Sequence, residues 1–267
     1  MPPGPITTSP EPARPPAALR RAPEQRQMAL IVGLAFFLNF VFGMLLQTRH
    51  FRAGLVVSQI LFIAGPVLLS LRLFYLDPGA ILPFRRPTGA ALAAAVFGTV
   101  GLNHLLNLLG AWQERVFPTP ESIRMLFESQ FVYRGPADFA LLLVVFAVVP
   151  AICEEALFRG FVQAGFLQIF ESAPAGIILT ALLFAAFHLN PWIFIGVLGL
   201  GLFLGLLAQR TGSLVPPILG HALNNVLSIS ATAWSGSASE AQGTWWSIVG
   251  ALLLVGLALA LLRRARA

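Results

Sequence analysis

The sequence predicts an all-α protein that crosses a membrane several times, as a polytopic bundle of about eight transmembrane helices. Of its 267 residues, 57% are hydrophobic and only 10% are charged, whereas an average soluble protein is about 25% charged. Apolar runs of about 20 residues, the length that a helix needs to cross the hydrocarbon core of a bilayer, recur along the chain. A hydrophobic excess of this size cannot be buried in one soluble core, so the composition predicts a membrane protein.

The apolar runs divide the chain into predicted elements. Residues 1–27 are Pro-rich and Arg-rich, which predicts a disordered cytoplasmic tail. The loop at 113–137 contains the amphipathic segment ESIRMLFESQF and predicts an interfacial helix or a partial lid. Residues 28–262 form one membrane-embedded domain, because no soluble-type domain interrupts the spans, and 263–267 form a basic cytoplasmic end. The predicted spans are 28–47, 53–74, 88–112, 138–162, 174–189, 191–209, 214–233 and 244–262.

The distribution of arginine predicts the orientation of the bundle. All 17 basic residues are Arg, and they concentrate in the amino-terminal tail, at Arg85 and Arg86, and at the carboxyl end. An even number of spans places these clusters in the cytoplasm, as the positive-inside rule prefers. Anionic lipid headgroups account for the formal charge of +6, so nucleic acid is not an expected partner. Abundant Ala and Arg without Lys favours a bacterial host, and hence a multi-pass protein of the bacterial cytoplasmic membrane.

Two glutamates and an arginine interrupt the apolar pattern of the fourth predicted span. No charge occurs from Phe139 to Pro150, and Glu154, Glu155 and Arg159 then follow within six residues. On a helix Glu155 and Arg159 share a face and can form an ion pair, whereas Glu154 points about 100° away from Glu155. Ionisable groups inside a membrane span are by default functional or paired. The pattern predicts one paired carboxylate and one that faces a cavity; the alternative is an exposed pair at the lipid headgroups.

Three polar residues in later spans are the expected partners of these charges. His188 ends the run 174–189, and His221 and Asn225, four residues apart, share a face of the span 214–233. Helices of a bundle can bring such residues together with Glu154 in one polar pocket. The alternative for each histidine is a hydrogen bond between packed helices.

Other polar or small residues in the spans have simpler interpretations. His104, in the third span, is expected to pack against a neighbouring helix or at the interface. Cys153, the single cysteine, is expected to pack as a small hydrophobic residue rather than to act as a nucleophile. Gly196, Gly201 and Gly205 fall on one helix face and predict a close-packing surface.

Three motifs in order resemble a known family. The segment EEALFRG at 154–160 has two glutamates followed, after three residues, by an arginine. Phe184 precedes His188 by four residues, and His221 precedes Asn225 by four after the lead-in TGSLVPPIL. In order and spacing they resemble the CPBP family, which contains type II CAAX prenyl proteases and bacteriocin-processing enzymes. The resemblance covers about residues 140–230.

The resemblance implies an α-helical intramembrane endopeptidase. Glu154 would act as the general base and would polarise a water molecule together with His188. His221 and Asn225 would donate hydrogen bonds to the oxyanion of the tetrahedral intermediate. The substrate would be a peptide or a lipid-anchored protein near the cytoplasmic face, and membrane lipids would be the other partners.

The resemblance also implies that Glu155 and Arg159 hold the site together, and it leaves the need for a metal open. The family is often labelled metalloprotease, and Glu154, His188 and His221 could supply the three protein ligands of a zinc ion. No helix carries the HExxH signature, however, and a zinc-bound Glu154 would require another base. A metal-free glutamate mechanism without a cofactor is therefore the first choice, and zinc is the alternative.

Two functions of other classes fit the same polar pocket. A non-catalytic immunity or scaffold protein of the same fold would keep the pocket for binding, and a proton-coupled transporter would relay protons through its Glu and His side chains. Inverted repeats would favour transport, but the sequence has no convincing repeat. The intact motifs favour the endopeptidase.

Overall fold

The computed structural model describes residues 21–235 and 243–265, and every regular element in these two ranges is a helix. Residues 1–20 of the predicted tail lie outside the described residues. The helices are α1 (Gln25–Arg49), α2 (Phe51–Leu73), α3 (Pro78–Ile81), α4 (Gly89–Val116), α5 (Glu121–Gln130), α6 (Pro136–Phe170), α7 (Ala173–Phe187), α8 (Phe194–Thr211), α9 (Val215–Ser235) and α10 (Trp245–Arg264).

The helices confirm the all-α transmembrane class. A helix forms at each of the eight predicted spans, and six of the described helices are long and apolar enough to cross a membrane, namely α1, α2, α4, α6, α8 and α10. The other two are α7, which has only 15 residues, and α9, whose 21 residues include one His and two Asn. Length and composition therefore support six spans by themselves, two fewer than the sequence prediction.

The helices α1 and α6 extend beyond their predicted spans. The first helix begins at Gln25, inside the predicted tail, because the side chain of Gln27 accepts a hydrogen bond from the backbone N–H of Glu24 and closes a capping box. The helix α6 continues to Phe170 instead of ending at 162. Glu154 therefore lies in the middle of a 35-residue helix rather than near its end.

Side chains next to the helix starts satisfy backbone groups that the helix itself leaves unpaired. The hydroxyl oxygens of Thr88, Ser172 and Thr244 each accept an N–H group from the first turn of α4, α7 and α10. Pro136 stands at the first position of α6, where its missing N–H has no cost. Gly212 ends α8 in the left-handed conformation, with φ of 58°.

The helices α4 and α10 pack closely side by side. A Cβ atom added at Gly101 would lie 2.6 Å from the carbonyl oxygen of Ala251, so the backbones approach as only a glycine permits. His104 Nε2 lies 3.1 Å from Ser247 Oγ across the same contact. This confirms the expectation that His104 packs against a neighbouring helix.

The outer surface of the bundle is apolar. Phe37 of α1 is 55% exposed, Leu61 of α2 is 57% exposed and Leu253 of α10 is 68% exposed. Large exposed apolar areas of this kind mark an interaction surface in a soluble protein. On six helices of spanning length they are the surface that lipid covers, so the protein is an integral, multi-pass membrane protein.

The predicted amphipathic segment between the third and fourth spans forms α5. None of its residues is buried, and exposed apolar side chains such as Met125 and Phe127 lie along it. The connection that contains α5 is attached to the bundle by Arg52 of α2, whose Nη2 donates to the carbonyl oxygen of Val132 at 2.6 Å. Trp192 Nε1 also donates to the carbonyl oxygen of Pro118 in this connection, at 3.2 Å.

Candidate active site

The charged residues of α6 lie inside the bundle. Glu155 is 0% exposed and Arg159 is 4% exposed, and the side chain of Glu154 is 14% exposed. This burial excludes the alternative of an exposed pair at the lipid headgroups. A π-helical turn, Ala156–Val162, begins directly after Glu155, and such turns are frequent at functional sites because one extra residue redirects the side chains around it.

Glu155 connects two helices of the site. Its Oε1 accepts a hydrogen bond from Arg159 Nη1 at 2.7 Å, the pairing that the four-residue spacing predicts. The same oxygen lies 2.9 Å from His221 Nδ1 in α9. An ionised carboxylate can only accept hydrogen bonds, so His221 must donate from Nδ1. Glu155 thereby fixes the orientation of the imidazole and leaves Nε2 for contacts elsewhere.

Arg159 attaches this cluster to the neighbouring helices. Its Nη2 donates to the carbonyl oxygen of Gly201 in α8, at 3.0 Å. Its guanidinium carbon lies 4.4 Å from the ring centroid of Phe184 in α7, a cation–π contact. A Cβ atom at Gly201 would lie 3.2 Å from Phe184 Cδ1, so the absence of a side chain there keeps α7 and α8 close.

The predicted glycine surface of α8 is therefore only partly correct. Gly201 and Gly205 both pack against neighbouring side chains, since a Cβ atom at Gly205 would lie 3.0 Å from Gln163 Oε1. A Cβ atom at Gly196 would meet nothing within 4 Å. Of these three glycines, only the two that face α6 and α7 are in close contact with a neighbouring helix.

Glu154 occupies the more accessible side of the cluster. Its Oε1 accepts a hydrogen bond from Gln59 Nε2 of α2, at 2.7 Å. Its Oε2 lies 3.9 Å from His221 Nε2, which is too long for a direct hydrogen bond. Both groups can therefore contact a third atom placed beside them. The two adjacent glutamates thus form hydrogen bonds with different residues, Gln59 for Glu154 and Arg159 for Glu155, but both face the ring of His221, one at each nitrogen.

His188 lies at the carboxyl end of α7, at the surface of the bundle. Its Nδ1 lies 2.8 Å from the carbonyl oxygen of Phe184, and since a carbonyl only accepts, Nδ1 carries the proton. The Phe184 ring stands between the two histidines, with its centroid 4.9 Å from that of His188 and 5.7 Å from that of His221. Among the described residues, no hydrogen bond joins His188 to Glu154.

Asn225 is held by a series of amide side chains. Its Nδ2 donates to the carbonyl oxygen of Phe146 in α6, at 3.3 Å, and its Oδ1 accepts from Asn224 Nδ2 at 3.4 Å. Asn224 in turn accepts from Asn103 Nδ2 of α4, at 3.0 Å. Asn107 Nδ2 donates to Asn103 Oδ1 at 3.1 Å. Since each amide has a partner, the position of Asn225 is fixed from outside its own helix.

The structure joins four of the six predicted site residues directly, through hydrogen bonds or short polar distances, and places the other two beside them. The joined residues are Glu154, Glu155, Arg159 and His221. His188 contacts this cluster through the ring of Phe184. Asn225 lies one turn of α9 beyond His221.

Sequence analysis missed Gln59 and Asn103 as members of the site. Both come from helices that carry no recognisable motif, so neither has a spacing that relates it to Glu154. The available signal is that each is an amide in an apolar span, and a polar group inside a span needs a partner. That signal indicates that a partner exists without indicating which one.

The zinc alternative requires three protein ligands around one ion. Within the part of the chain that the structure describes, no three His, Cys, Asp or Glu side chains lie close enough together to hold a metal ion. The candidate ligands Glu154, His188 and His221 are consequently not arranged as a zinc site, since such a site needs its protein ligands within about 2.0–2.3 Å of one ion.

Cys153 has the structural role that the sequence favours. It is 6% exposed and belongs to an apolar cluster with Ile63 of α2 and Leu157 of α6. A thiol in such surroundings is inert rather than reactive.

A known protein family matches the part of the chain that contains most of this cluster. Residues 136–227 match the family model described as type II CAAX prenyl endopeptidase Rce1-like. The match includes all six predicted site residues, from Glu154 to Asn225, and excludes Gln59 and Asn103. Neither a curated protein nor a solved structure matches this chain. Residues 136–227 of this multi-pass membrane protein therefore form a domain of the Rce1-like family of CAAX-type intramembrane endopeptidases.

Proposed function

We propose that this protein hydrolyses a peptide bond of a membrane-associated substrate and that Glu154 activates the water that attacks it. The observation that carries the proposal is the placement of Glu154 Oε2, which lies 3.9 Å from His221 Nε2 on a side chain that is 14% exposed. A water oxygen within about 2.8 Å of both atoms completes a triangle with them. Glu154 is more exposed than Glu155, Arg159 and His221, which are each at most 4% exposed, so we expect a reactant to reach the cluster at this position.

The charges around this position balance when His221 is an imidazolium. Glu155 accepts from both Arg159 and His221. With His221 protonated, the two carboxylates are offset by one guanidinium and one imidazolium. A buried cluster without net charge avoids the large cost of an unpaired ion. In this state His221 Nε2–H is a donor beside the water position, as an oxyanion donor must be.

The reaction conserves atoms and charge through Glu154 alone. Its carboxylate takes a proton from the water, whose oxygen forms a bond to the scissile carbonyl carbon. The carbonyl oxygen becomes an oxyanion that accepts hydrogen bonds from His221 Nε2–H and from the amide of Asn225. The C–N bond then breaks, and the proton on Glu154 passes to the leaving amine. The products are a carboxylic acid and an amine.

His188 supplies a second acceptor for the attacking water. Since its Nδ1–H donates to the carbonyl oxygen of Phe184, the neutral ring presents an unprotonated Nε2. Its position at the exposed end of α7 supports this role, since an exposed nitrogen is accessible to water. No metal ion takes part in this scheme, and no cofactor is required.

The contacts between helices support a cytoplasmic placement of the carboxyl-terminal end of α10. The start of α9 lies beside Arg85, because Ser213 Oγ donates to the Arg85 carbonyl oxygen at 2.7 Å. Gly101 of α4 lies near residues 251–255 and Gly98 near Ala258, so α4 and α10 are antiparallel. This brings the start of α4 and the Arg-rich end of α10 to the same end of the bundle, the side that the positive-inside rule assigns to the cytoplasm.

Cleavage of a lipid-anchored peptide tests the proposal. The purified protein is reconstituted in vesicles of phosphatidylcholine and phosphatidylglycerol, and its activity is measured on a library of internally quenched peptides with a carboxyl-terminal lipid anchor. Glu154→Gln keeps the size of the side chain and removes the base, so kcat should fall by at least about a hundredfold. The matched control is Glu128→Gln, which alters a carboxylate of α5 that forms no ion pair with the site.

The outcomes separate the candidate functions. Cleavage by the wild type and by Glu128→Gln but not by Glu154→Gln supports the glutamate mechanism. Cleavage that persists in Glu154→Gln contradicts it. Binding of the peptides without cleavage favours a scaffold or immunity role, and proton-coupled flux into the vesicles favours a transporter.

A further inference from the structure

We propose that Gln59, in α2 and outside the family domain, is a positioning residue for the reactive carboxylate of Glu154. This inference rests on the proposed function, since it concerns how that function is achieved. Gln59 Nε2 donates to Glu154 Oε1 at 2.7 Å. Within the described part of the chain, it is the only side chain that forms a direct hydrogen bond with this carboxylate, because His221 lies 3.9 Å away.

The chemistry of the two groups fixes the orientation of the amide. A carboxylate has no proton to give, so the nitrogen of Gln59 must face Glu154 and the amide oxygen must face away. That oxygen is buried and has no hydrogen-bond partner among the described residues. The amide therefore directs its donor at Glu154 although its own acceptor is unpaired. This orientation is favoured because a hydrogen bond to an ionised acceptor is stronger than one between neutral groups.

Gln59 is itself rigidly held. It is 7% exposed and begins a π-helical turn, Gln59–Ala64. The same turn places Ile63 in the apolar cluster that contains Cys153 and Leu157 of α6. Packing of α2 against α6 therefore sets where the donor lies relative to Glu154. A site built on packed helices in this way holds its groups more accurately than one built on loops.

Restraint of one oxygen has a direct catalytic consequence. The terminal torsion of a glutamate side chain has a broad energy minimum, so an unrestrained carboxylate rotates easily. With Oε1 held by Gln59, Oε2 keeps its place beside His221 Nε2. Without this restraint the carboxylate spends less time in the orientation that accepts a proton from the water, and a displacement of about 1 Å can cost a hundredfold in rate.

Gln163 provides a matched control. It is also a buried glutamine, 2% exposed, and its Oε1 also lacks a partner among the described residues. Its Nε2, however, donates to the backbone carbonyl oxygen of Gly205 at 3.0 Å, and no hydrogen bond joins it to an ionisable side chain of the described residues. A purely structural role predicts equal effects at Gln59 and Gln163, whereas a positioning role predicts a catalytic effect at Gln59 alone.

The first test compares Gln59→Met with Gln163→Met in the vesicle assay. Met has a similar volume and no donor, so Gln59→Met should lower kcat by about tenfold to a hundredfold and leave KM within about twofold of the wild-type value. Gln163→Met should change neither. Wild-type kcat in Gln59→Met, or an equal loss in both variants, overturns the inference.

A second test needs no substrate. Thermal unfolding in mild detergent is measured for Gln59→Met, Glu154→Met and the double variant, and for the corresponding set with Gln163→Met. The destabilisation caused by Gln59→Met should shrink or disappear in the Glu154→Met background, while that of Gln163→Met should be the same in both backgrounds. Additive effects at Gln59 overturn the inference.

The two proposals fail in different ways. If Glu154→Gln is inactive while Gln59→Met has the kcat of the wild type, only the role of Gln59 is wrong. If Glu154→Gln cleaves the lipid-anchored peptides, the glutamate mechanism is wrong, and the positioning of Glu154 for catalysis fails with it.

Discussion

Replacement of Arg159 by Met should strongly destabilise the protein. The Arg159 side chain is fully buried. Its replacement removes both the 2.7 Å ion pair with Glu155 and the 3.0 Å hydrogen bond to the Gly201 carbonyl oxygen. Removal of one partner of a buried ion pair leaves an uncompensated charge and typically costs about 3–5 kcal/mol. For a chain of this size, about 1 kcal/mol lowers the unfolding midpoint by about 2–4 °C. The expected decrease is therefore about 6–20 °C.

Thermal unfolding in mild detergent, followed by circular dichroism, measures this decrease. Arg124→Met is the control, because Arg124 pairs with Glu121 at the surface and an exposed pair contributes about 0–1 kcal/mol. Arg159→Met combined with Glu155→Gln removes both charges and keeps an acceptor for His221, so it should restore most of the lost stability. The reasoning is refuted if Arg159→Met loses no more stability than Arg124→Met, or if the double variant is less stable than Arg159→Met.

Three further predictions concern the amide series, a close helix contact and the metal. Asn103→Leu removes the amide that donates to Asn224 and should lower kcat about tenfold in the vesicle assay with little change in the unfolding midpoint; a wild-type kcat contradicts it. Gly160→Ala places a Cβ atom 2.5 Å from the Ile81 carbonyl oxygen, so it should lower the free energy of unfolding by about 1–3 kcal/mol. The control is Gly250→Ala, whose Cβ atom meets no neighbouring group within 4 Å. It should leave the free energy of unfolding unchanged or raise it by up to about 1 kcal/mol. Incubation with a chelator should leave kcat unchanged, and a loss of activity that zinc restores would contradict the metal-free mechanism.

Much of the fold follows from local properties of the sequence. Apolar runs of spanning length predicted helices at all eight positions, because a backbone in lipid must satisfy its own hydrogen bonds. The positions at which the helices end were predicted less well. The helix α6 passes the expected end at 162 and continues to Phe170, since nothing in the sequence stops a helix there until Glu171, which adopts the left-handed conformation with φ of 48°.

The members of the site were predicted where a motif relates them along one helix. The ion pair of Glu155 and Arg159 is an example, because a spacing of four residues brings two side chains together in any helix. The roles proposed for Glu154, His188, His221 and Asn225 remain predictions for the cleavage assay. Their spatial relation is not a property of any one segment.

The sequence by itself determined the membrane class, the helices and the residues that carry charge or a titratable ring inside them. The tertiary structure alone decided which of those residues meet. Glu155 contacts His221 across 66 positions of sequence, and Gln59 contacts Glu154 across 95. Contacts of this kind depend on how packed helices are rotated and shifted against one another, and each apolar face has several ways to pack. Local spacing carries no information about that choice, which explains why Gln59 is recognisable as part of the site only after α2 and α6 have been placed side by side.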